Sequence, residues 1–205
     1  MDEQPRSPAW DVRIAESREE RDRVFRFRYD SHIAEYGRWP TTGSRERKIL
    51  REVADEGATL LYVEWERRMA AALRLQFGPI PPDLRAGLQA SRFRKLSREL
   101  AVADQIGVAR ALRRTTLLAH LVHRAEVLAH VGGAVLLFCH ARDDQAHFFT
   151  ALGFQLYAPA FSLVEQGMRY PLVKAVGGPA SEAWLAAELS EVSGSEHENQ
   201  SGGRR

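Results

Sequence analysis

Cysteine is nearly missing from this sequence. Cys139 stands alone among 205 residues, so no disulfide can close within the chain and no Cys-rich metal site can form. Lysine is almost as scarce: Lys48, Lys95 and Lys174 are the only ones, and arginine supplies the rest of the basic charge. A planar guanidinium fork suits phosphate and carboxylate, although a GC-rich coding sequence produces the same excess. No apolar run approaches the roughly 20 residues needed to span a bilayer, and Met1 to Pro8 is polar, without an apolar signal core. These absences predict a cytoplasmic protein with no membrane span. Net charge is only +2, with arginines spread along the chain and no reader motif, so no nucleic-acid partner is expected. His120, His123 and His130 have no carboxylate at a metal-site spacing, so no metal is expected. His140 and His147 read as surface residues, and Cys139 as a small buried hydrophobe.

What is present is a globular balance of 44% hydrophobic and 27% charged residues. A flexible lead-in over 1–9, one domain over 10–192 and a disordered tail over 193–205 are expected. Trp10 to Ala15 reads as a strand and Ser17 to Tyr36 as a helix, with Ser17 and Glu20 in capping-box spacing. A short helix is expected from Arg45 to Val53, then a hairpin of Ala58–Trp65 and Met69–Phe77. Residues 83–94 form a polar excursion. Leu96–Val102 reads as a central strand, Arg110–His130 as a long helix closed by Gly132-Gly133, and Ala134–Cys139 as a strand covered on both faces. Asp143–Leu152 reads as a helix capped by Gly153; Phe154–Tyr157 and Tyr170–Val176 read as strands, and Ser181–Val192 as a last helix. A strand meander followed by alternating strands and helices implies an α/β sheet of mixed, mostly antiparallel direction flanked by helices.

Several strings carry a resemblance. Phe148-Phe149-Thr150-Ala151-Leu152-Gly153-Phe154 resembles the late segment of the GNAT acyltransferase fold. Arg28 with Trp39, Ala72-Leu73-Arg74-Leu75, Leu96-Ser97-Arg98 before Leu100-Ala101-Val102, and Arg113 to Leu118 resemble, in order, motifs of the acyl-homoserine lactone and N-acyl amino acid synthase branch. Gly167-Met168-Arg169-Tyr170-Pro171 resembles the ending of exosortase-associated acyltransferases. The resemblance implies a GNAT-like N-acyltransferase. Its donor would be a thioester on acyl carrier protein or acyl-CoA, bound as substrate rather than as a resident cofactor. Its acceptor would be the amine of an amino acid or similar small molecule.

The resemblance also assigns residues. Glu99 is the first candidate for the base and Asp104 the second. Arg28, Trp39, Arg74 and Arg98 would hold an anionic acceptor, or else sit in ion pairs. The backbone of Leu100, Ala101 and Val102 would meet the donor, and Arg110, Arg113 and Arg114 its phosphate or an acidic carrier protein. Phe149 stands at the donor position where many GNAT enzymes place a tyrosine that protonates the departing thiolate, which phenylalanine cannot do. Val102 to Thr115 contains only Gly107, a weak phosphate cradle. Lys95 occupies the branch's usual glutamate slot unless a β-bulge near Glu99 shifts the match. These departures keep two alternatives open: a conventional acetyl-CoA N-acetyltransferase, and a degenerate GNAT domain that binds an acyl group or a partner without turnover.

Overall fold

The computed structural model describes residues 10–36, 44, 46–78, 99–163 and 167–198. It is a mixed α/β protein with eight strands in a mostly antiparallel sheet and four α-helices among those residues. Its contacts divide it into two compact units, Met1–Phe77 with Val102–Leu128, and Gly78–Ala101 with Ala129–Arg205.

In the first unit the spatial order is β1 (Val12–Ile14), β2 (Thr59–Trp65), β3 (Arg68–Phe77) and β4 (Leu100–Val108), whose first residues belong to the other unit. The pairs β1–β2 and β2–β3 are antiparallel. Helix α1 (Arg18–Tyr36) starts where the sequence predicts: the Glu20 amide donates to Ser17 Oγ at 3.2 Å, and the Ser17 amide donates to Glu20 Oε2 at 2.9 Å. Val24 and Phe25 pack with Ala58, Leu60, Tyr62 and Ala72 in the core. The hairpin closes through Glu66 and Arg67, both left-handed at φ 50° and 63°, as a two-residue type I′ turn demands.

Three expectations need correction in this unit. The helix expected over Arg45–Val53 is replaced, among the described residues, by an antiparallel bridge between Ser44 and Ile49 and a 3₁₀ turn at Val53–Asp55. Lys48 at φ 52° is incompatible with a helix there. The central strand runs past Val102 to Val108, because the polar Asp104 and Gln105 find side-chain partners on neighbouring elements; residues 96–98 lie outside the described residues. The long helix α2 begins only at Leu117 and ends at Val131. Ahead of it, Arg110–Leu112 is a 3₁₀ turn. Thr115 Oγ1 donates to the Leu112 carbonyl at 2.7 Å and accepts from the Leu117 amide at 3.3 Å, which takes up the backbone before the helix can start.

In the second unit β8 (Gly167–Ala175) pairs antiparallel with β5 (Leu136–Arg142), β6 (Gln155–Leu156) and β7 (Phe161–Leu163). The Gly-x-Arg-x-Pro string thus opens β8, three residues before the expected start at Tyr170. Strand β7 has no counterpart in the sequence reading. The α2 C-terminus closes with Gly133 at φ 84° and the Ala134 amide on the Ala129 carbonyl at 2.9 Å. Helix α3 (Asp143–Ala151) closes in the same way, with Gly153 at φ 89° and the Phe154 amide on the Phe149 carbonyl at 3.1 Å. Phe149 and Phe154 meet edge to face, 5.4 Å between centroids. Helix α4 (Pro179–Glu198) opens with proline after Gly178 and continues past Val192 into the stretch read as tail. No helix among the described residues is long and apolar enough to cross a membrane.

Candidate active site

The chemistry-bearing residues of the first unit converge on one buried cluster. On α1 the inward stripe is Val24, Phe25, Arg28 and Tyr29, so helical spacing puts a cation among hydrophobes. The Arg28 side chain is 3% exposed. Its Nη1 donates to Asp55 Oδ1 at 2.7 Å, and Asp55 is wholly buried. Asp55 ends the 3₁₀ turn and is fixed there, its Oδ2 accepting from the Glu52 amide at 2.8 Å. Arg21 donates to the Asp55 and Ala58 carbonyls, tying the same turn to α1.

Arg74 enters from β3. Its Nε and Nη2 form a bidentate pair with Asp104 of β4, both at 2.7 Å, and its Nη1 reaches Glu52 at 2.8 Å and Asp55 at 3.3 Å. Gln76 adds a bond to Asp104 Oδ2 at 2.9 Å, and Gln105 one to Glu52 Oε1 at 3.0 Å. Three carboxylates therefore face two guanidiniums. Asp104 and Glu52 keep 23% and 27% of their side chains exposed and form the open rim, while Arg28 and Asp55 form the closed floor. The floor is not satisfied: among the described residues, Arg28 Nε and Nη2 are buried without a hydrogen-bond partner.

Burial pushes the Arg28 guanidinium below its usual range, with Asp55 pulling the other way. Burial also pushes Asp55 upward, but the Arg28 charge and hydrogen bond and the Glu52 amide outweigh it, leaving the carboxyl below its ordinary value. For Asp104 burial prevails over the Arg74 pair and the net direction is up. Arg74 loses from burial and gains more from Asp104 and Glu52, so it is held above its ordinary value and stays charged.

Arg28, Arg74 and Asp104, three of the residues singled out in the sequence, thus come together. Trp39 and Arg98 lie outside the described residues, as does Lys95. Glu99 is exposed, immediately before β4, and its carbonyl accepts from the Val135 amide at 2.8 Å. Leu100, Ala101 and Val102 are buried, and the Leu100 carbonyl accepts from the Gly78 amide at 3.3 Å. The irregularity in the described part of β4 is not beside Glu99 but at Gln105, left-handed at φ 49°. Arg110, Arg113 and Arg114 are exposed ahead of α2, and Arg113 Nε donates to the Val108 carbonyl at 3.2 Å. Gly107 lies in β4, where a Cβ would come within 3.3 Å of the Phe27 ring, so its small size serves packing. Phe149 is 1% exposed.

Sequence reading missed Asp55, Glu52 and Gln105. Asp55-Glu56-Gly57 looks like an exposed turn. The usable signal was the acid-x-x-acid spacing of Glu52 and Asp55, a capping box in acidic form. His140 also departs from its surface reading: it is half-buried, its Nε2 lies 3.0 Å from the Tyr157 hydroxyl, and its ring meets Phe161 edge to face. Among the described residues no group of three or more His, Cys, Asp or Glu is arranged to hold a metal ion.

No protein-family model matches the chain, and no curated protein sequence matches it. Solved structures do. FeeM, an N-acyl amino acid synthase from uncultured soil microbes, superposes with a TM-score of 0.67 at 16% identity, over 84% of this chain and 93% of that one. The CoA-dependent acyl-homoserine lactone synthase BjaI, solved with SAM and isopentyl-CoA, gives 0.56 at 17% identity, over 82% and 81%. A GNAT-family acetyltransferase from Streptococcus pneumoniae gives 0.58 at 16% identity, over 82% and 100%. With the strand order and the helix positions above, these likenesses show that the chain has the GNAT-like acyltransferase fold.

Proposed function

We propose that this protein is an N-acyltransferase that moves an acyl group from a thioester, on acyl carrier protein or coenzyme A, to a small amine carrying an anionic group. The observation that carries the reading is the pair of donors on buried Arg28 that have no partner among the described residues. A buried donor left unsatisfied costs about 1–3 kcal/mol, and a ligand that accepts from it explains why the cost is tolerated. A carboxylate suits the guanidinium fork, and the acceptor's ammonium suits the acidic rim of Asp104 and Glu52. There Asp104, on the rim and 23% exposed, is one candidate to take a proton from the ammonium, giving up one of its bonds from Arg74 or Gln76 to do so. Glu99 is the other candidate for that role. The amine nitrogen bonds to the thioester carbonyl carbon, the carbon–sulfur bond breaks, and the second proton given up by that nitrogen passes through solvent to the departing thiolate. The backbone of Leu100 to Val102 would line the donor, with Arg110, Arg113 and Arg114 for its phosphate or an acidic carrier protein. Trp39 and Arg98 join the acceptor side by resemblance alone.

The test is mass spectrometry of products from a grid of donors and acceptors: acetyl, medium-chain and long-chain thioesters against amino acids and their decarboxylated amines. N-acyl products confined to the carboxylated acceptors are expected, with Arg28→Lys raising the acceptor KM by about tenfold or more, the size of a lost hydrogen bond to a charged group. Products from the decarboxylated amines alone overturn the acceptor assignment. Turnover with acetyl-CoA alone establishes the conventional acetyltransferase, a reading disfavoured by the lack of any glycine between Ala109 and Thr116. A second reading has its own observation: buried Phe149 offers no hydroxyl to a leaving thiolate. No product from any donor, with tight binding of acylated carrier protein, establishes that non-catalytic role.

A further inference from the structure

The tip of the β2–β3 hairpin and the 3₁₀ turn ahead of α2 lie at the same end of the first unit. The Ala109 amide donates to the Ala70 carbonyl at 2.8 Å. Trp10 meets Trp65 edge to face, 5.3 Å between centroids, and its Nε1 donates to Thr116 Oγ1 at 3.2 Å. Five exposed arginines gather there: Arg67 and Arg68 at the tip, and Arg110, Arg113 and Arg114 on the turn and just after it. Trp65 stands with them, 42% exposed, while the Trp10 ring against it is 8% exposed. Acidic charge is sparse at this end. Glu66 shares the tip, and Asp11 is taken by Arg13 at 2.6 Å. The tip is also strained, because Glu66 and Arg67 hold left-handed positions that asparagine or glycine fills more easily. Strained positions concentrate at functional sites, and what these two residues keep at the apex is charge.

We infer that this end of the unit is a membrane-contact surface, which lays Trp65 and the five arginines on the headgroups of an anionic bilayer. Charge complementarity supplies the attraction: guanidiniums from two separate segments meet lipid phosphates and carboxylates. An indole, apolar in body and polar at one edge, suits the headgroup level. A protein partner asks instead for a pocket around a desolvated anchor. Here the cations ride on turns, which one flat surface can meet together, and Trp65 is itself the projecting group. The contact does not depend on the acyl-transfer reading, in which Trp65, Arg67 and Arg68 have no part.

Two substitutions at the apex separate charge from fold. Arg67→Gly and Glu66→Asn both relieve a left-handed position, so both should raise the denaturant midpoint. One removes a cation and the other an anion. Binding is read by co-sedimentation with vesicles of phosphatidylcholine alone and of phosphatidylcholine mixed with phosphatidylserine. The parent should bind the mixed vesicles, leave the neutral ones, and be released at about 1 M salt, where the Debye length falls to about 3 Å. Arg67→Gly should bind the mixed vesicles about fivefold more weakly and Glu66→Asn about fivefold more tightly, the size of one charge near such a surface. Brominated acyl chains should quench the tryptophan emission of the parent more than that of Trp65→Phe. Should Arg67→Gly not fold, Arg68→Gln carries the same expected loss from outside the left-handed pair. No preference for the anionic vesicles, apex variants that bind like the parent or shift in the same direction, or equal quenching in Trp65→Phe overturns the surface. So do apex variants that change capture of acyl carrier protein and leave vesicle binding alone, which gives this end to an acidic protein.

Discussion

Asp55 has no exposed surface, so its charge is tolerable only while Arg28 and Arg74 both stay against it. Removing that charge leaves one buried cation without its partner and strips a second of one of its contacts. Asp55→Asn is therefore expected to lower folding stability by about 3–5 kcal/mol, the usual cost of breaking a buried pair from one side, measured by chemical denaturation at neutral pH. The same residue sets part of the acid response. Its folded pKa lies below its unfolded one, so its stabilisation is present above the ordinary carboxylate range and is lost as pH falls through the folded value, below about pH 4. Asp104 acts with the opposite sign and in a higher window: its folded pKa is raised, so it opposes folding as pH rises from about 4 towards its folded value. The rise of stability with pH should become shallower below about pH 4 in Asp55→Asn and steeper above about pH 4 in Asp104→Asn. Equal slopes in parent and both variants would mean that neither carboxyl changes its protonation equilibrium on folding.

At the scale of elements, local rules and tertiary bonds decided different features. The start of α1 was readable because Ser17 and Glu20 satisfy each other within one turn. Glu20 is held down to about 2 by the Ser17 amide first, then by the Tyr62 hydroxyl and the Ser17 hydroxyl. Ser17→Ala should thus shift the Glu20 titration upward in a carboxyl-detected NMR experiment, and lower stability by about 1 kcal/mol as a lost N-cap. The β2–β3 hairpin was readable from its two apolar runs, but not its turn, since Glu66 and Arg67 are poor residues for two left-handed positions. Replacing them together with Asn and Gly should raise stability by about 1 kcal/mol or more, the relief of that strain, as a higher denaturant midpoint. The start of α2 and the end of β4 were misread for different reasons. Thr115 diverts the backbone ahead of α2 through its own hydroxyl, and Asp104 and Gln105 stay in the strand because Arg74 and Glu52 receive them. The first effect is local but competes with the helical pattern, and the second lies outside any window of local sequence.

For the whole molecule, the element order was legible because most apolar runs lie between clear breakers, and the fold followed from that order. The charged site was only half legible. Arg28, Arg74 and Asp104 stood out on periodic elements, but Asp55 lies 27 residues from Arg28, and Glu52 lies 53 from Gln105, with nothing local to link them. The same long reach predicts how the chain can be divided. The first unit combines Met1–Phe77 with Val102–Leu128, so a fragment of residues 1–77 keeps α1, β2 and β3 but lacks much of what completes them. It has no Asp104 for the two strongest bonds of Arg74, and no Thr116 to accept from Trp10 Nε1 at 3.2 Å. The buried Leu117, Leu121, Val122 and Ala125 of the same unit are missing too. Arg74 keeps Glu52 and Asp55 but loses its bidentate partner, and breaking a buried pair from one side costs about 3–5 kcal/mol, against a total of roughly 5–15 kcal/mol for an ordinary domain. The fragment should therefore show no cooperative unfolding transition by circular dichroism and poorly dispersed amide resonances, while a single chain that joins 1–77 to 102–128 through a flexible linker should recover a sigmoidal melt. A cooperative transition in the 1–77 fragment by itself would show that the core of Val24, Phe25, Leu60 and Tyr62 holds the unit without the ion cluster.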